Sequence, residues 1–289
     1  MAPDIAVHRA MAAWVRRGFN RRAPTYDQCA HFARNVGAEL VGRLQWLAFV
    51  PESVLDLGAG TAFTTRALKA RYPRAHVIAL DVAERMLMQA RSSWWRPVSR
   101  ICADAARLPL RSGSVDLICS SLLLPWLPDP TDALAEAARV LTPRGCLTFA
   151  TIGPQSLVEL TSAFASLDEC SHRNRLPDMA ELAHILVQTG FADPVLDVER
   201  ETRYFATTRD LLELLHRTGS GVFDPGRRRG LLGRDGFKTL EAAYERDRHA
   251  AGLPVAVEVI YGQAWRPGNA PPQRAKRGEV VIPITSIRR

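Results

Sequence analysis

Two glycines and two aspartates stand at places where a polypeptide can bind a nucleoside. Gly58 and Gly60 follow an apolar run and precede a helical pattern, so the backbone can turn tightly there and approach a ligand, and the start of the helix offers free N–H donors. Asp81 ends the next apolar run, where a carboxylate accepts hydrogen bonds from a ribose diol. Asp104 follows a third run and is placed to contact an adenine amino group. The spacing therefore predicts a nucleoside site.

The residues around the glycines indicate which nucleoside is bound. A nicotinamide dinucleotide site carries a third small residue where this chain has Phe63, and it holds a pyrophosphate. Asp56 precedes the glycines and disfavours phosphate, whereas it suits a cationic amino-acid group. S-adenosylmethionine carries an ammonium and a sulfonium but no phosphate, so we expect it as the cofactor. The candidate cofactor-binding residues are Asp56, Gly58, Ala59, Gly60, Asp81, Val82, Met86, Asp104, Ala105 and Ser120, which ends the fourth strand beside the methionine portion.

Alternating strand and helix patterns predict the elements that position these residues. Such alternation is typical of a parallel sheet with helices on both faces, and ligands bind beyond the carboxyl ends of its strands. We expect an α/β fold with a doubly wound, seven-stranded, mostly parallel sheet. The predicted strands are 53–57, 76–80, 98–103, 115–120, 145–151, 195–204 and 255–263.

The helical patterns divide the chain into three parts. Residues 1–30 form an N-terminal helical cap around an amphipathic helix at 6–19, residues 31–267 the ligand-binding domain, and residues 268–289 a flexible tail. Helices inserted around 155–190 and 208–250 are expected to cover the ligand-binding edge. The predicted helices of the domain are 64–72, 84–92, 132–141, 156–167, 179–189, 209–217 and 236–249.

The composition limits where in the cell the protein is expected and which classes of partner it is expected to bind. No stretch approaches about 18 apolar residues, so no membrane span is expected. The Arg-rich start also fits a mitochondrial transit peptide, but we favour the helical cap and a cytoplasmic protein. The five cysteines form no CxxC pair, which predicts reduced thiols without zinc or any other metal. The net charge of +8 favours an acidic partner, and charge alone leaves nucleic acid, an anionic membrane and an acidic protein open.

Four segments resemble class I methyltransferases. They are Asp-Leu-Gly-Ala-Gly-Thr at 56–61, Ile-Ala-Leu-Asp at 78–81, Asp104-Ala105 followed by Leu108-Pro109-Leu110, and Leu-Thr-Pro-Arg-Gly at 141–145. The family usually has a third glycine at the position of Ala62. The resemblance implies a Rossmann-like fold and S-adenosylmethionine as methyl donor.

Other segments are similar to malonyl-acyl carrier protein O-methyltransferases, and the resemblance extends from about Phe19 to Pro267. It implies methyl transfer from S-adenosylmethionine to the free carboxylate of a malonyl thioester, the step that opens biotin synthesis. A carboxylate with a pKa near ~4 is ionised at neutral pH and needs alignment rather than a general base. The similar segments are 19–27, 120–127, 153–160, 172–175, 190–194, 226–231 and 258–265.

The same resemblance suggests residues for the acceptor. Arg173 and Arg175 are candidates for holding one carboxylate oxygen, each equally well interpreted as a solvated loop arginine. Tyr26 is expected to close over the reacting centre, and Trp126 to wall the substrate channel. Malonyl-acyl carrier protein is the expected partner, docking on a basic surface that includes Arg21, Arg22, Arg227, Arg228 and Arg229.

Several alternatives stay open at this level. A quinone-type small-molecule methyltransferase shares the cofactor half of the sequence, and a methyltransferase-like arginine hydroxylase fits the Arg-rich start and Ala62. A binding role without turnover is a third possibility. Nucleic acid is disfavoured, because no basic surface with interleaved aromatic residues is recognisable.

Overall fold

The computed structural model describes residues 5–47, 49–90, 98–224 and 226–268, except the side chains of residues 5–9 and 144. Seven strands form one sheet in the order β3-β2-β1-β4-β5-β7-β6. Strand β7 runs antiparallel to the other six strands, which are parallel to one another. This confirms the predicted α/β fold with a mostly parallel sheet. The strands are β1 (Ser53–Leu57), β2 (His76–Asp81), β3 (Ser99–Cys102), β4 (Val115–Ser121), β5 (Leu141–Ile152), β6 (Ala192–Phe205) and β7 (Leu253–Trp265).

The register of the parallel strands brings their carboxyl ends to one edge. Asp56 is paired with Ala79 across β1 and β2, and Asp81 is paired with Cys102 across β2 and β3. Beyond this edge, the loops after β1, β2 and β3 follow one another across the sheet. The central strands are apolar on both faces, as expected for strands covered by helices on each side.

Helices cover both faces of the sheet. On one face, α2 and α3 pack over Val54 and Leu117 through Leu40 and Leu68. On the other face, α5 and α7 join a cluster that contains Leu55 and Ile118. The helices are α1 (Ile5–Arg22), α2 (His31–Arg43), α3 (Phe63–Arg71), α4 (Glu84–Gln89), α5 (Thr131–Val140), α6 (Val158–Ala165), α7 (Met179–Gln188), α8 (Thr208–Thr218) and α9 (Gly233–Tyr244).

A separate helical layer lies next to the ligand edge. Leu160 of α6, Leu211 of α8 and Tyr244 of α9 pack together over the start of β7, where the Tyr244 hydroxyl donates to the carbonyl of Pro254 at 2.6 Å. These helices belong to the two inserted regions predicted from the sequence. Helix α7 lies inside the first of those regions but differs, because Leu182 and Leu186 are fully buried in the sheet-face cluster. It is therefore part of the sheet-covering layer.

Some element bounds differ from the expectations. Helix α2 was not predicted, and α1 continues three residues past Phe19 to Arg22. Helix α4 ends at Gln89, and the remainder of the predicted helix falls partly on residues 91–97, outside the described part of the chain. The predicted tail likewise lies outside it, apart from Gly268.

All five cysteines are free thiols, three of them buried. In the part of the chain that the structure describes, no group of three or more His, Cys, Asp or Glu side chains is arranged to hold a metal ion. Within the same residues, no helix has the length and apolar character needed to span a bilayer.

Candidate functional site

A cavity of about 710 Å³ lies at the carboxyl edge of the sheet, beneath the N-terminal cap and beside α6 and α8. Its volume is in the range of small-molecule and cofactor sites. One end is formed by the loops after β1, β2 and β3, and the other by α6, α8 and the loop at 172–176. Ten of the thirteen residues predicted for the site line it: Tyr26, Gly58, Ala59, Gly60, Asp81, Val82, Met86, Asp104, Ala105 and Arg173.

The loop after β1 has the conformation that its glycines permit. Gly58 and Gly60 have φ values of 81° and 53°, and the backbone amides of Gly58 and Ala59 both donate to the carbonyl of Leu80. Ala62, which stands where the resembling family usually has glycine, also has a positive φ of 61°. A non-glycine residue in this left-handed region costs about 1 kcal/mol, so alanine adopts the glycine-type turn at a modest cost.

Asp81 joins the loop after β1 to the end of β2. Its Oδ2 accepts from the Gly60 amide and its Oδ1 accepts from the Ala83 amide, each at 2.8 Å. Burial raises the pKa of the carboxyl, and these backbone donors oppose that shift by stabilising its charged form. Each oxygen keeps a lone pair, so the fixed carboxylate can accept hydrogen bonds from a ligand in the cavity.

Asp104 lies at the same end of the cavity as Asp81, in the loop after β3. Its Oδ1 accepts from the Ala106 amide at 3.0 Å. The next segment is fixed from α5, because Glu136 accepts from the Leu108 amide at 2.7 Å and Arg139 donates to the Leu108 carbonyl at 3.0 Å. Val82, Met86 and Ala105 add apolar surface around this end, which suits a flat heteroaromatic ring.

Two predicted cofactor residues lie outside the cavity lining. Asp56 is 1% exposed, and its Oδ2 accepts from the Thr65 hydroxyl at 2.5 Å, behind the glycine loop. Its Oδ1 has no hydrogen-bond partner among the described residues, and burial raises its pKa to about 7. Ser120 is 2% exposed and donates to the carbonyl of Leu57 at 2.9 Å. Both side chains therefore support the loop from inside the protein, while Ser121 lines the cavity.

The turn after α1 covers the glycine loop. The hydroxyl of Thr61 donates to Oδ1 of Asp27 at 2.7 Å, which ties the turn to the cofactor end of the cavity. Tyr26 lies beside it, and burial together with the charge of Asp81 raises its pKa to about 12. The phenol is protonated at neutral pH and can donate a hydrogen bond. Phe19 packs edge-on against both Tyr26 and Trp126, with ring centroids 6.2 and 4.9 Å apart.

The two candidate acceptor arginines lie in different places. Arg173 lines the cavity, and its Nη1 donates to the carbonyl of Pro154 at 2.6 Å. Arg175 is exposed and forms an ion pair with Glu181, outside the cavity lining. The structure therefore brings Arg173, and not Arg175, to the predicted reaction site.

A carboxylate next to Arg173 links this loop to the basic segment at 226–229. Oδ1 of Asp168 pairs with Nε2 of His172 at 2.7 Å, and Oδ2 pairs with Nη1 of Arg228 at 2.6 Å. These partners hold the pKa of Asp168 well below its usual range. His172 also stacks on Phe164, with ring centroids 4.2 Å apart, and both line the cavity. Asp168 thus fixes the residue that precedes Arg173.

The predicted docking arginines differ in whether their side chains already form hydrogen bonds or ion pairs within the protein. Arg21 and Arg229 are exposed and form no hydrogen bond or ion pair with the described residues. Arg22 lines the cavity and donates from Nε to the carbonyl of His216 at 2.6 Å, which joins α1 to α8. Arg228 forms an ion pair with Asp168. Arg227 is half-buried, and its Nη1 donates at 3.5 Å to the Asp224 carbonyl of its own loop.

Sequence reasoning missed several cavity residues, including Asp27, Ser121, Phe164 and His172. Asp27 and Ser121 each adjoin a predicted residue, so the local signal was present but was assigned one position away. His172 likewise directly precedes the predicted Arg173, in the similar segment at 172–175. Phe164 adjoins no predicted residue, and only the fold brings it to the cavity.

The cavity fits S-adenosylmethionine on its own geometry. The donors and acceptors follow the order of the strands, with the glycine loop at β1, a fixed carboxylate at β2 and a second carboxylate at β3. The loop after β1 gives its Gly60 amide to Asp81, so it presents a carboxylate where a dinucleotide site presents free amides to phosphate.

Comparisons with known proteins agree with this geometry. A family model described as a methyltransferase domain matches residues 55–149. A malonyl-[acyl-carrier protein] O-methyltransferase of Laribacter hongkongensis is 41% identical over 278 residues, covering 93% of this chain and 94% of the relative. One of Halorhodospira halophila is 39% identical, covering 95% of both chains. The crystal structure of the YcgJ protein from Bacillus subtilis has a TM-score of 0.58 at 18% identity, covering 80% of this chain and 99% of that one. The chain belongs to the malonyl-[acyl-carrier protein] O-methyltransferase family.

Proposed function

We propose that this protein transfers the methyl group of S-adenosylmethionine to the free carboxylate of a malonyl thioester carried on acyl carrier protein, as an early step of biotin synthesis. The observation that carries the proposal is that one cavity contains both the nucleoside-binding edge, with Asp81 and Asp104, and the guanidinium of Arg173. The names of the full-length relatives support the substrate.

The reaction makes a limited demand on the protein. The malonyl carboxylate has a pKa near ~4 and is already a nucleophile at neutral pH, so the chain has to align it and to keep water away. When bound, S-adenosylmethionine supplies an electrophilic methyl group on a sulfonium. No histidine–carboxylate pair has to act as a general base in this scheme.

Arg173 is the residue that we propose to hold the acceptor. Its Nη1 donates to the carbonyls of Pro154 at 2.6 Å and Ser156 at 3.4 Å, which orients the guanidinium, while Nε and Nη2 form no hydrogen bond with the described residues. A fork held in this way can bind one carboxylate oxygen and leave the other oxygen for attack. Because Nε and Nη2 remain available, the guanidinium can form charge-assisted hydrogen bonds to the acceptor, and the carboxylate oxygen that faces away from the fork keeps its reactivity.

Tyr26 and the apolar walls complete the reaction centre in this proposal. The protonated phenol of Tyr26 donates a hydrogen bond to a ligand oxygen and positions it. Phe19, Trp126, Leu160 and Phe164 line the cavity and exclude water from the carboxylate. Removing water strengthens the interaction of the carboxylate with the positive charges that face it.

The carrier protein would approach through its negative charge. Arg21 and Arg229 are exposed and are available to an acidic partner, and Arg228 adjoins Arg229 on the 226–229 segment. Such complementary charge mainly accelerates association and becomes weaker as salt is added.

A mass-spectrometric transfer assay tests the proposal. The purified protein is incubated with methyl-labelled S-adenosylmethionine and with malonyl-acyl carrier protein, malonyl-coenzyme A or acetyl-acyl carrier protein. We expect a base-labile labelled ester on the malonyl thioesters alone, formed fastest on the carrier protein. Label on the acetyl control, or none on any malonyl thioester while the cofactor binds, would overturn it.

A further inference from the structure

The acidic side chains that line the cavity follow the order of the strands. In the described part of the chain they are Asp27, Asp81 and Asp104. Asp81 is placed for the ribose and Asp104 for the adenine, at the ends of β2 and β3. Asp27 lies at the other side of Asp81, because Thr61, which directly follows Gly60 in the loop after β1, donates to it. An amino-acid group that extended from the ribose over the loop after β1 would therefore reach Asp27.

This amino-acid end carries an ammonium that needs a negative partner. Asp56 was expected to provide it, but its carboxyl is 1% exposed and lies outside the cavity lining. Its Oδ2 is already bonded to Thr65. A carboxyl shielded in this way cannot reach a ligand directly, so the charge has to come from another residue.

We propose that Asp27 binds the ammonium of the amino-acid group of S-adenosylmethionine. Its Oδ1 is fixed by the Thr61 hydroxyl at 2.7 Å, and its Oδ2 has no hydrogen-bond partner among the described residues. An ammonium carries three donors, of which a carboxylate in this position accepts one or two. Asp27 lines the cavity but is exposed to solvent, so the contact is a charge-assisted hydrogen bond that water partly screens.

The placement of Asp27 also explains how the N-terminal cap takes part in the cofactor site. Asp27 belongs to the short 3-10 turn after α1, and the Thr61 hydrogen bond is a direct link from that turn to the glycine loop. A ligand ammonium on Asp27 adds a second link at the same point. The cap thus recognises the amino-acid group, whereas the sheet edge recognises the nucleoside.

The inference rests on the cofactor part of the proposed function and not on the acceptor. Calorimetry with S-adenosylhomocysteine and analogues tests it without any malonyl substrate, on the wild type and on Asp27→Asn. The variant keeps an oxygen that accepts from Thr61 but removes the charge. We expect its affinity for S-adenosylhomocysteine to fall about tenfold, the usual scale of one charge-assisted hydrogen bond.

Analogues identify which group is lost. For 5′-methylthioadenosine, which lacks the amino-acid group, the affinities of the wild type and Asp27→Asn should agree within about twofold. The 3-aminopropyl analogue, which keeps the amine without the carboxylate, should lose affinity like S-adenosylhomocysteine. Thr61→Val is a second variant that frees the Asp27 carboxylate without removing it, and it should lose less affinity for both amine-bearing ligands.

Three outcomes would overturn the inference. They are unchanged affinity of Asp27→Asn for S-adenosylhomocysteine, an equal loss for methylthioadenosine, and failure of the wild type to bind S-adenosylhomocysteine. The first two leave the malonyl proposal standing, because the acceptor plays no part in the measurement. The third outcome would contradict the cofactor assignment on which both proposals depend. Absence of methyl transfer with intact cofactor binding would contradict only the proposed acceptor.

Discussion

Oδ2 of Asp81 accepts a 2.8 Å hydrogen bond from the backbone amide of Gly60, and this contact joins the ends of two adjacent parallel strands. The amide that a phosphate-binding loop would offer to its ligand is here given to a carboxylate. The contact therefore accounts for the shape of the glycine loop and leaves a fixed carboxylate that can accept from hydroxyl groups.

Replacing Asp81 should weaken cofactor binding. We expect Asp81→Ala to reduce the affinity for S-adenosylhomocysteine by about 1–3 kcal/mol, because the ribose hydroxyls lose their acceptor and the glycine loop loses its brace. Isothermal titration calorimetry measures the change. Asp116→Asn is the matched control, because Asp116 accepts from the Glu52 and Ser53 amides at the start of β1, on the opposite edge of the sheet. Equal affinity of Asp81→Ala and the wild type would refute the role.

Arg173 and Arg175 form a natural pair for testing the acceptor site. We expect Arg173→Ala to lower kcat/KM for malonyl thioesters by about a hundredfold, as expected when a charged hydrogen-bond donor to the reacting group is lost. Arg175→Ala should change it less than about twofold, since Arg175 pairs with Glu181 away from the cavity. Steady-state kinetics with malonyl-coenzyme A avoids carrier docking. A larger effect at Arg175 would reverse the assignment.

The fold was predictable because strand ends and helix patterns are local signals. The two loop glycines, Asp81 and Asp104 all line the cavity, since each lies at or just after the end of a parallel strand. Asp56 was predicted to contact the cofactor, but its side chain lies behind the glycine loop and outside the cavity lining. Side chains alternate along a strand, so a residue two positions before the glycine loop can face the helix layer rather than the ligand, and Thr65 of α3 lies there.

The acceptor half could not be predicted from spacing. Arg173 and Arg175 are two residues apart in an irregular loop, and no period indicates which side chain faces inward. The selection depends on contacts that are distant in the sequence, such as the Pro154 carbonyl on Arg173 and Glu181 on Arg175. Helix α2 escaped prediction for a related reason, because it is stabilised by packing of Leu40 on the sheet face rather than by a strongly amphipathic pattern.

The carboxyl of Asp56 predicts a pH-dependent difference in stability. Its pKa in the folded protein is about 7, against about 4 for an unfolded chain, because burial disfavours the charged form. The folded state therefore holds this proton between those values, and its contribution to stability is lost as the pH rises from 4 to 7. Asp56→Asn removes this titration.

Denaturant unfolding of Asp56→Asn and the wild type at pH 5, 6 and 7.5 measures this effect. The two proteins share every other titrating group, so the difference between the two free energies of unfolding reports the titration of Asp56 together with its effect on the neighbouring Asp81 carboxyl. We expect the variant to gain stability relative to the wild type as the pH rises, by at most about 1.4 kcal/mol for each pH unit. A pH-independent difference would contradict the raised pKa.

Asp168 should act on catalysis through the loop that it fixes. We expect Asp168→Asn to lower kcat/KM for malonyl-coenzyme A by about tenfold or more, because Arg173 loses its fixed position when His172 and Arg228 are released. The affinity for S-adenosylhomocysteine should be unchanged. Glu169→Gln, a change of the exposed neighbouring carboxylate, is the control. Equal losses in cofactor binding and in turnover would indicate general disruption instead.

Gly262 should be a position where a single methyl group destabilises the sheet. It lies on β7 opposite Phe149 of β5, and a Cβ added there would overlap the ring of Phe149 and a methyl of Leu196. Phe149 is fully buried and cannot turn away without disturbing the sheet-face core. We expect Gly262→Ala to lower the free energy of unfolding by about 1–3 kcal/mol or more.

Gly230→Ala adds the same methyl where no atom lies within 4 Å, and it should leave the midpoint of thermal unfolding unchanged. Equal midpoints for the two variants would show that β7 shifts to accommodate the methyl group.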